Sequence, residues 1–460
     1  MLGRRRDRRP APGSPSSRVC VDPGRWPHRP LICRWSYGTC CFPLPILHVR
    51  KAFPPPSQPH LVRHTLLATQ ILSSISPVRV THNSPEPHLP CPHTSSYSPL
   101  SQRPRNMPSQ LGICSISLGR CFAGHSLEHK LDMARKHGFQ GIELFHEDLY
   151  DIAQKLPGGA TPENELEAAR VIQRLCQERN LAIICLQPFW HYEALVDRQE
   201  HEKRIEKLQF WFQLAHVLGT DLIQVPSNFL PADQVSADFS LAVADLQKMA
   251  DLGLAQSPPF RFVYEALSFG TRCDTWEKSW ETVQAVDRPN FGLCLDTFNM
   301  AGRIYGDPTS PTGCTQDCDQ AVADSIARLV STVDVRKLFY IQVVDAKRLD
   351  KPLVEGHEFY NADQPPRMSW ARTSRLFYGE TEHGAYLPIT AISKAIFQGL
   401  GFQGWVSMEL FNNRATEEDP AVPAELASRG ARAWQKLIRD VGLEVDNNTV
   451  PVDDRVSASL

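Results

Sequence analysis

The chain has 460 residues, 42% hydrophobic and 22% charged, with 49 basic and 51 acidic side chains, enough for one large domain or two ordinary ones. The even balance hides a split: residues 1–106 hold 15 Lys and Arg against 3 Asp and Glu, a net of +12, while residues 107–460 hold 34 against 48, a net of −14. No window approaches ~18 uninterrupted apolar residues, so no membrane span is expected, and an acidic main body argues against nucleic acid as a partner.

In chain order, residues 1–106 carry 19 of the 37 prolines and the run Arg4-Arg-Arg-Asp-Arg-Arg9 without apolar periodicity, which reads as a disordered, Pro- and Arg-rich extension. Met107 opens a different composition, and synthesis starting there is one expectation. From Leu111 short apolar runs alternate with amphipathic stretches, the pattern of βα units with parallel strands. Eight strands are predicted, beginning near Leu111, Gln140, Leu181, Asp221, Arg261, Phe291, Lys337 and Gly404. Helical faces lie between them: Ile205, Leu208, Phe212, Ala215 and Leu218 recur at spacings of three and four, and Ser126 is placed to cap a helix. A last helix fits Ala424–Val441, and residues 446–460 read as a flexible tail. Eight of the 13 cysteines fall in residues 107–460, several within apolar runs and none in a CxxC pair, which points to buried thiols in a reducing, cytoplasmic compartment.

Eight strand–helix repeats predict a (β/α)8 TIM barrel over residues 107–445. A doubly wound open sheet is the rival, but Ser115-Ile-Ser-Leu-Gly119 after the first strand is not the GxGxxG turn that fold normally brings. Extra length after strand six (Ala301–Asp319) and strand seven (Asp345–Tyr386) predicts two lids over the same end of the barrel.

In a barrel the active site lies at the carboxyl ends of the strands. Strands five to eight end on Glu265, Asp296, Gln342 and Glu409. Three carboxylates converging in one mouth repel each other unless a cation neutralises them, and an all-oxygen set without His or Cys favours Mg2+ or Mn2+ over zinc. The bland alternative is that Glu265 and Glu409 pair with lid arginines.

These four residues resemble the metal set of the xylose-isomerase-like barrel superfamily. The stretches Ser117-Leu-Gly-Arg-Cys-Phe-Ala-Gly-His125, Gly141-Ile-Glu-Leu-Phe145, Leu186-Gln-Pro-Phe189, Cys294-Leu-Asp-Thr-Phe-Asn299, Phe339-Tyr-Ile-Gln-Val-Val-Asp-Ala346 and Trp405-Val-Ser-Met-Glu-Leu-Phe411 resemble the fungal 3-dehydroshikimate dehydratases of quinate catabolism. The resemblance covers nearly all of residues 107–441 and none of residues 1–106. It implies a metal-dependent dehydration of the small molecule 3-dehydroshikimate to protocatechuate.

Relatives in that superfamily place a His two residues after the first metal Glu or three after the metal Asp, where this chain has Leu267 and Asn299. The acid–base candidates left are His191 after strand three, Lys347 past Gln342 and Glu143 at the end of strand two. Each has a structural alternative: a satisfied core His, a lid ion pair and a buried anchor. Arg367, Arg372 and Arg375 in the second lid are candidates for a clamp on the substrate carboxylate. Phe189, Trp190, Phe298 and Trp370 are candidates for the pocket wall. An aldose–ketose or hydroxypyruvate-type isomerase is the alternative enzyme reading. A damaged-DNA endonuclease of the same superfamily conflicts with the −14 core, and the last alternative is a non-enzymatic interaction protein working through its basic arm.

Overall fold

An uninterrupted apolar run, Phe-Gly-Leu-Cys-Leu, with no charge until the last position makes Phe291–Asp296 a strand buried at every residue. Seven more runs of this kind form strands in the computed structural model, which describes residues 108–445. They are Gln110–Cys114, Gly141–Phe145, Ala182–Gln187, Leu222–Pro226, Arg261–Glu265, Leu338–Gln342 and Trp405–Met408. All pair in parallel, and the first closes on the last through Gln110 opposite Trp405 to Ile113 opposite Met408. The expected closed barrel is therefore present and the open sheet is not. The expected extension over residues 1–106 and tail over 446–460 lie outside the described residues.

Helices connect the strands and bury their apolar stripes against them, forming one large outer core. Ser126 caps its helix as expected, its hydroxyl accepting from the His129 N–H at 3.3 Å, and the last helix spans Val422–Val441.

Period-two alternation decides what fills the barrel. One inward layer is Ile184, Cys185, Leu222, Val263, Cys294 and Tyr340, an apolar plug. Two residues further along each strand, toward its carboxyl end, this layer gives way to Gln187, Gln224, Glu265, Asp296 and Gln342, with Glu143 from strand two joining them.

Both lids lie where the sequence put the extra length. After strand six, Asp296 caps a helix over Thr297–Ile304. After strand seven, Asp345–Ala346 pairs antiparallel with Arg375–Leu376, and the lid helix Pro366–Thr373 lies between them. Trp370 of this helix packs 5.0 Å from the Phe298 ring. The fit is close: a Cβ on Gly306 would stand 2.6 Å from the Trp370 ring, so only glycine admits the indole there.

Candidate active site

Three of the four predicted ligands come together. Ligand oxygens of Glu265, Asp296 and Glu409 all lie within 4.8 Å of one another, and all three residues are buried. Local structure fixes each of them. Asp296 Oδ1 accepts the N–H groups of Phe298 (2.7 Å) and Asn299 (3.1 Å) as the helix cap, which leaves Oδ2 facing the other carboxylates. Asn299 donates from Nδ2 to both Glu265 Oε1 (2.8 Å) and Asp296 Oδ2 (3.2 Å). Gln224 holds Glu265 Oε2 at 2.5 Å.

Gln342 is fully buried beside this cluster, its backbone paired with Asp296 and Ser407 on the flanking strands. Its Nε2 donates to Glu143 Oε2 at 2.8 Å and its Oε1 accepts from the Cys294 thiol at 3.6 Å. Glu143 thus belongs to the same polar layer. Its Oε2 also accepts from Gln187 (2.8 Å) and Tyr340 (3.0 Å), while Oε1 has no partner.

Charge is the governing fact here. One cation, Arg375, reaches the cluster, its Nη1 donating to Asp296 Oδ2 at 2.6 Å and to Glu409 Oε2 at 3.2 Å. Its guanidinium lies between the rings of Phe298 (4.5 Å) and Phe411 (5.0 Å). Three buried carboxylates against one guanidinium leave an excess of negative charge. Burial pushes Glu409 up to about 8 against the pull of Arg375. Burial, then the charges of Glu409 and Asp296, raise Glu265 well above the usual carboxylate range. A divalent cation fits this set, because it would offset the excess charge with oxygen donors alone.

Above the cluster opens a cavity walled by Phe145, Trp190, Phe229, Leu267, Phe269 and Phe411. Their rings meet edge to face, Phe145 with Trp190 at 6.1 Å and Phe229 with Phe269 at 5.7 Å. Such a slot suits a flat, ring-sized molecule. Arg372 stands at its rim, held by Gln364 Oε1 at 2.9 Å and lying 5.8 Å over the Phe229 ring.

Other predicted residues lie elsewhere. Phe189 is not a pocket wall: it is fully buried, with its ring 5.0 Å from Trp211, and the next residue, Trp190, faces the cavity instead. Arg367 is not at the mouth, because the rotation of its helix turns it to the Gly302 and Gly306 carbonyls, both at 3.0 Å. Lys347 does not line the cavity, since strand seven turns directly into the short antiparallel pair and carries its Nζ to 3.9 Å from Asp350 on the lid. His191 sits behind the wall, its Nδ1 3.1 Å from Asn228 Oδ1 and its ring 4.3 Å from Phe229. Burial lowers it to about 4, so it is neutral near pH 7.

Sequence reading assigned no role to Gln187, which ends strand three as Glu265 ends strand five, to Gln224 in the middle of strand four, or to Asn299. The signal was the period-two layer itself, which runs through more strands than the last four.

The model of the xylose isomerase-like TIM barrel family matches residues 131–437. A 3-dehydroshikimate dehydratase of Neurospora crassa is 59% identical over 360 residues, covering 77% of this chain and 100% of its own length. A 3-dehydroshikimate dehydratase of Pseudomonas aeruginosa is 28% identical over 309 residues; the match takes in 66% of this chain but only 38% of that protein. Among solved structures, a xylose isomerase-like TIM barrel/4-hydroxyphenylpyruvate dioxygenase fusion protein superposes with a TM-score of 0.54 at 25% identity, over 73% of this chain and 43% of its own. The IOLI protein, solved with a zinc atom, superposes with a TM-score of 0.51 at 16% identity, over 72% and 98% of the two chains.

Proposed function

The chain belongs to the xylose isomerase-like TIM barrel family, and from that premise we propose that it dehydrates 3-dehydroshikimate to protocatechuate, a carbon–oxygen lyase step of quinate catabolism. The observation that carries this reading is the identity running over the whole length of the Neurospora dehydratase. The buried carboxylate cluster beneath an aromatic slot supplies a site suited to that chemistry.

Glu265, Asp296 and Glu409, with Gln342 as a fourth oxygen donor, would hold a divalent ion of the Mg2+ or Mn2+ type, whose positive charge would stabilise an anionic oxygen on the substrate. Glu143 takes the proton from the carbon next to that carbonyl. Three donors hold its Oε2 and leave Oε1 open, and burial brings its pKa up to about 7, suited to a base at neutral pH. Arg372 at the rim pairs with the ring carboxylate. Trp190, Phe229 and Phe411 cover the ring faces and keep water off the reacting carbons. Glu143 then returns that proton to the departing hydroxyl, which leaves as water, and aromatisation makes the loss irreversible.

Among the described residues no helix is long and apolar enough to cross a membrane. Their eight cysteines are all free, which supports the cytoplasm as the site of reaction. The isomerase alternative draws no support from the relatives found. Purified protein given 3-dehydroshikimate and Mg2+ or Mn2+ is expected to release protocatechuate, followed by its absorbance, and Glu265→Gln is expected to remove most of that activity. Folded, metal-supplemented protein that forms no product refutes the reading.

A further inference from the structure

A second cavity, of about 210 Å3, shares Phe269 with the cavity above the carboxylate cluster. It is larger than the roughly 70 Å3 enclosed above the cluster itself. Ser268, Arg303, Arg367 and Asp274 supply its polar lining, and Phe269 and Pro366 its apolar face.

Two of these groups have unused capacity. Ser268 is 2% exposed and its Oγ has no hydrogen-bond partner, a cost a native structure normally avoids unless a ligand or water answers the group. Arg367 spends Nε and Nη2 on the Gly302 and Gly306 carbonyls and forms no ion pair with any described carboxylate. Arg303 is already paired with Asp274 Oδ2 at 2.6 Å, and Lys278 holds the other oxygen of Asp274 at 2.7 Å. The lining thus sets two guanidiniums, Arg303 and Arg367, against one carboxylate, Asp274, which Lys278 also holds, an excess of positive charge. Burial and the neighbouring Arg303 charge both work against the charged form of Arg367. An anion brought between these groups relieves that repulsion and gives the serine hydroxyl an acceptor.

We propose that this cavity is a second small-molecule site, which binds a ring carboxylate with its carboxylate on Arg367 and Ser268 Oγ and its ring against Phe269 and Pro366. The class follows from the lining: one anionic end is called for by an unpaired guanidinium, and an apolar body by the phenyl and proline faces. A phosphate has no body to fill the apolar half. The site adjoins the cluster directly, since the Ser268 N–H donates to Asn299 Oδ1 at 2.9 Å and Asn299 bonds both Glu265 and Asp296.

Titration calorimetry with benzoate reads occupancy of the metal-loaded full chain without turnover, so its outcome does not depend on the substrate assigned above. Arg367→Gln is expected to weaken benzoate about tenfold, the usual loss for one charge-assisted contact. Ser268→Ala, which removes only a partnerless hydroxyl and should leave the lid intact, is expected to weaken it about threefold. Inorganic phosphate is expected to bind at least tenfold more weakly than benzoate. The proposal is overturned if benzoate shows no heat of binding, if Ser268→Ala leaves its affinity unchanged, or if Arg372→Gln abolishes binding while Arg367→Gln preserves it.

Discussion

Glu143 and Arg375 show how little of a side chain's role its neighbours in sequence decide. Glu143 points inward from the middle of its strand, and three residues from two other strands hold one of its oxygens and leave the other open, which is what makes it the proposed base. As the proposed base Glu143 must be ionised to act, and burial raises its pKa to about 7, so the rate is expected to fall as pH drops through that value. Glu143→Gln should lower kcat by about 10²- to 10⁴-fold, keep KM within a few-fold and abolish this acid limb. A variant that retains both kcat and the acid limb excludes Glu143 as the base. Arg375 is the cation of the cluster, and its bond to Asp296 spans 79 residues. No spacing rule encodes a contact made by a chain returning from a lid. Removing one partner of a buried ion pair strands the other charge. Arg375→Met is therefore expected to cost about 3–5 kcal/mol in urea unfolding without metal, with part of the loss recovered on adding Mn2+. An unchanged unfolding midpoint would count against this. The same distance effect explains Arg367, Arg372 and Arg375: composition placed three guanidiniums in the lid, but helix rotation and one short strand pair send them to three different places.

At the scale of elements the sequence was far more legible. Each of the eight strands starts within one residue of the expected position, because apolar runs between helical faces leave few other choices. Both insertions lie over the same end of the barrel for the same reason. What periodicity did not reveal is the change of direction after strand three: Phe189 turns into the core and Trp190 into the cavity, a one-residue shift that reverses the faces once the strand's alternation ends. The lid helix packs through Trp370 onto Gly306 and Phe298. Gly306→Ala puts a methyl 2.6 Å from the indole and is expected to destabilise by about 1–3 kcal/mol and to raise KM, as the lid seats Arg372. Calorimetric Tm and steady-state kinetics together check this; an unchanged Tm shows that the lid yields freely.

Across the whole molecule, an apolar plug and a polar layer share one closed barrel. The cluster's excess negative charge would tie the proposed cation to stability as well as to turnover. Chelation is expected to abolish activity reversibly and to lower Tm. Return of the ion should restore both, since a ligand at a hundred times its Kd stabilises by about 2.7 kcal/mol. Full turnover in EDTA contradicts the proposed metal role. The plug of Ile184, Cys185, Leu222, Val263, Cys294 and Tyr340 also seals the far end of the barrel lumen. With that end filled, substrate and product are expected to share the aromatic mouth above the cluster, so that a product molecule that lingers there shuts out the next substrate.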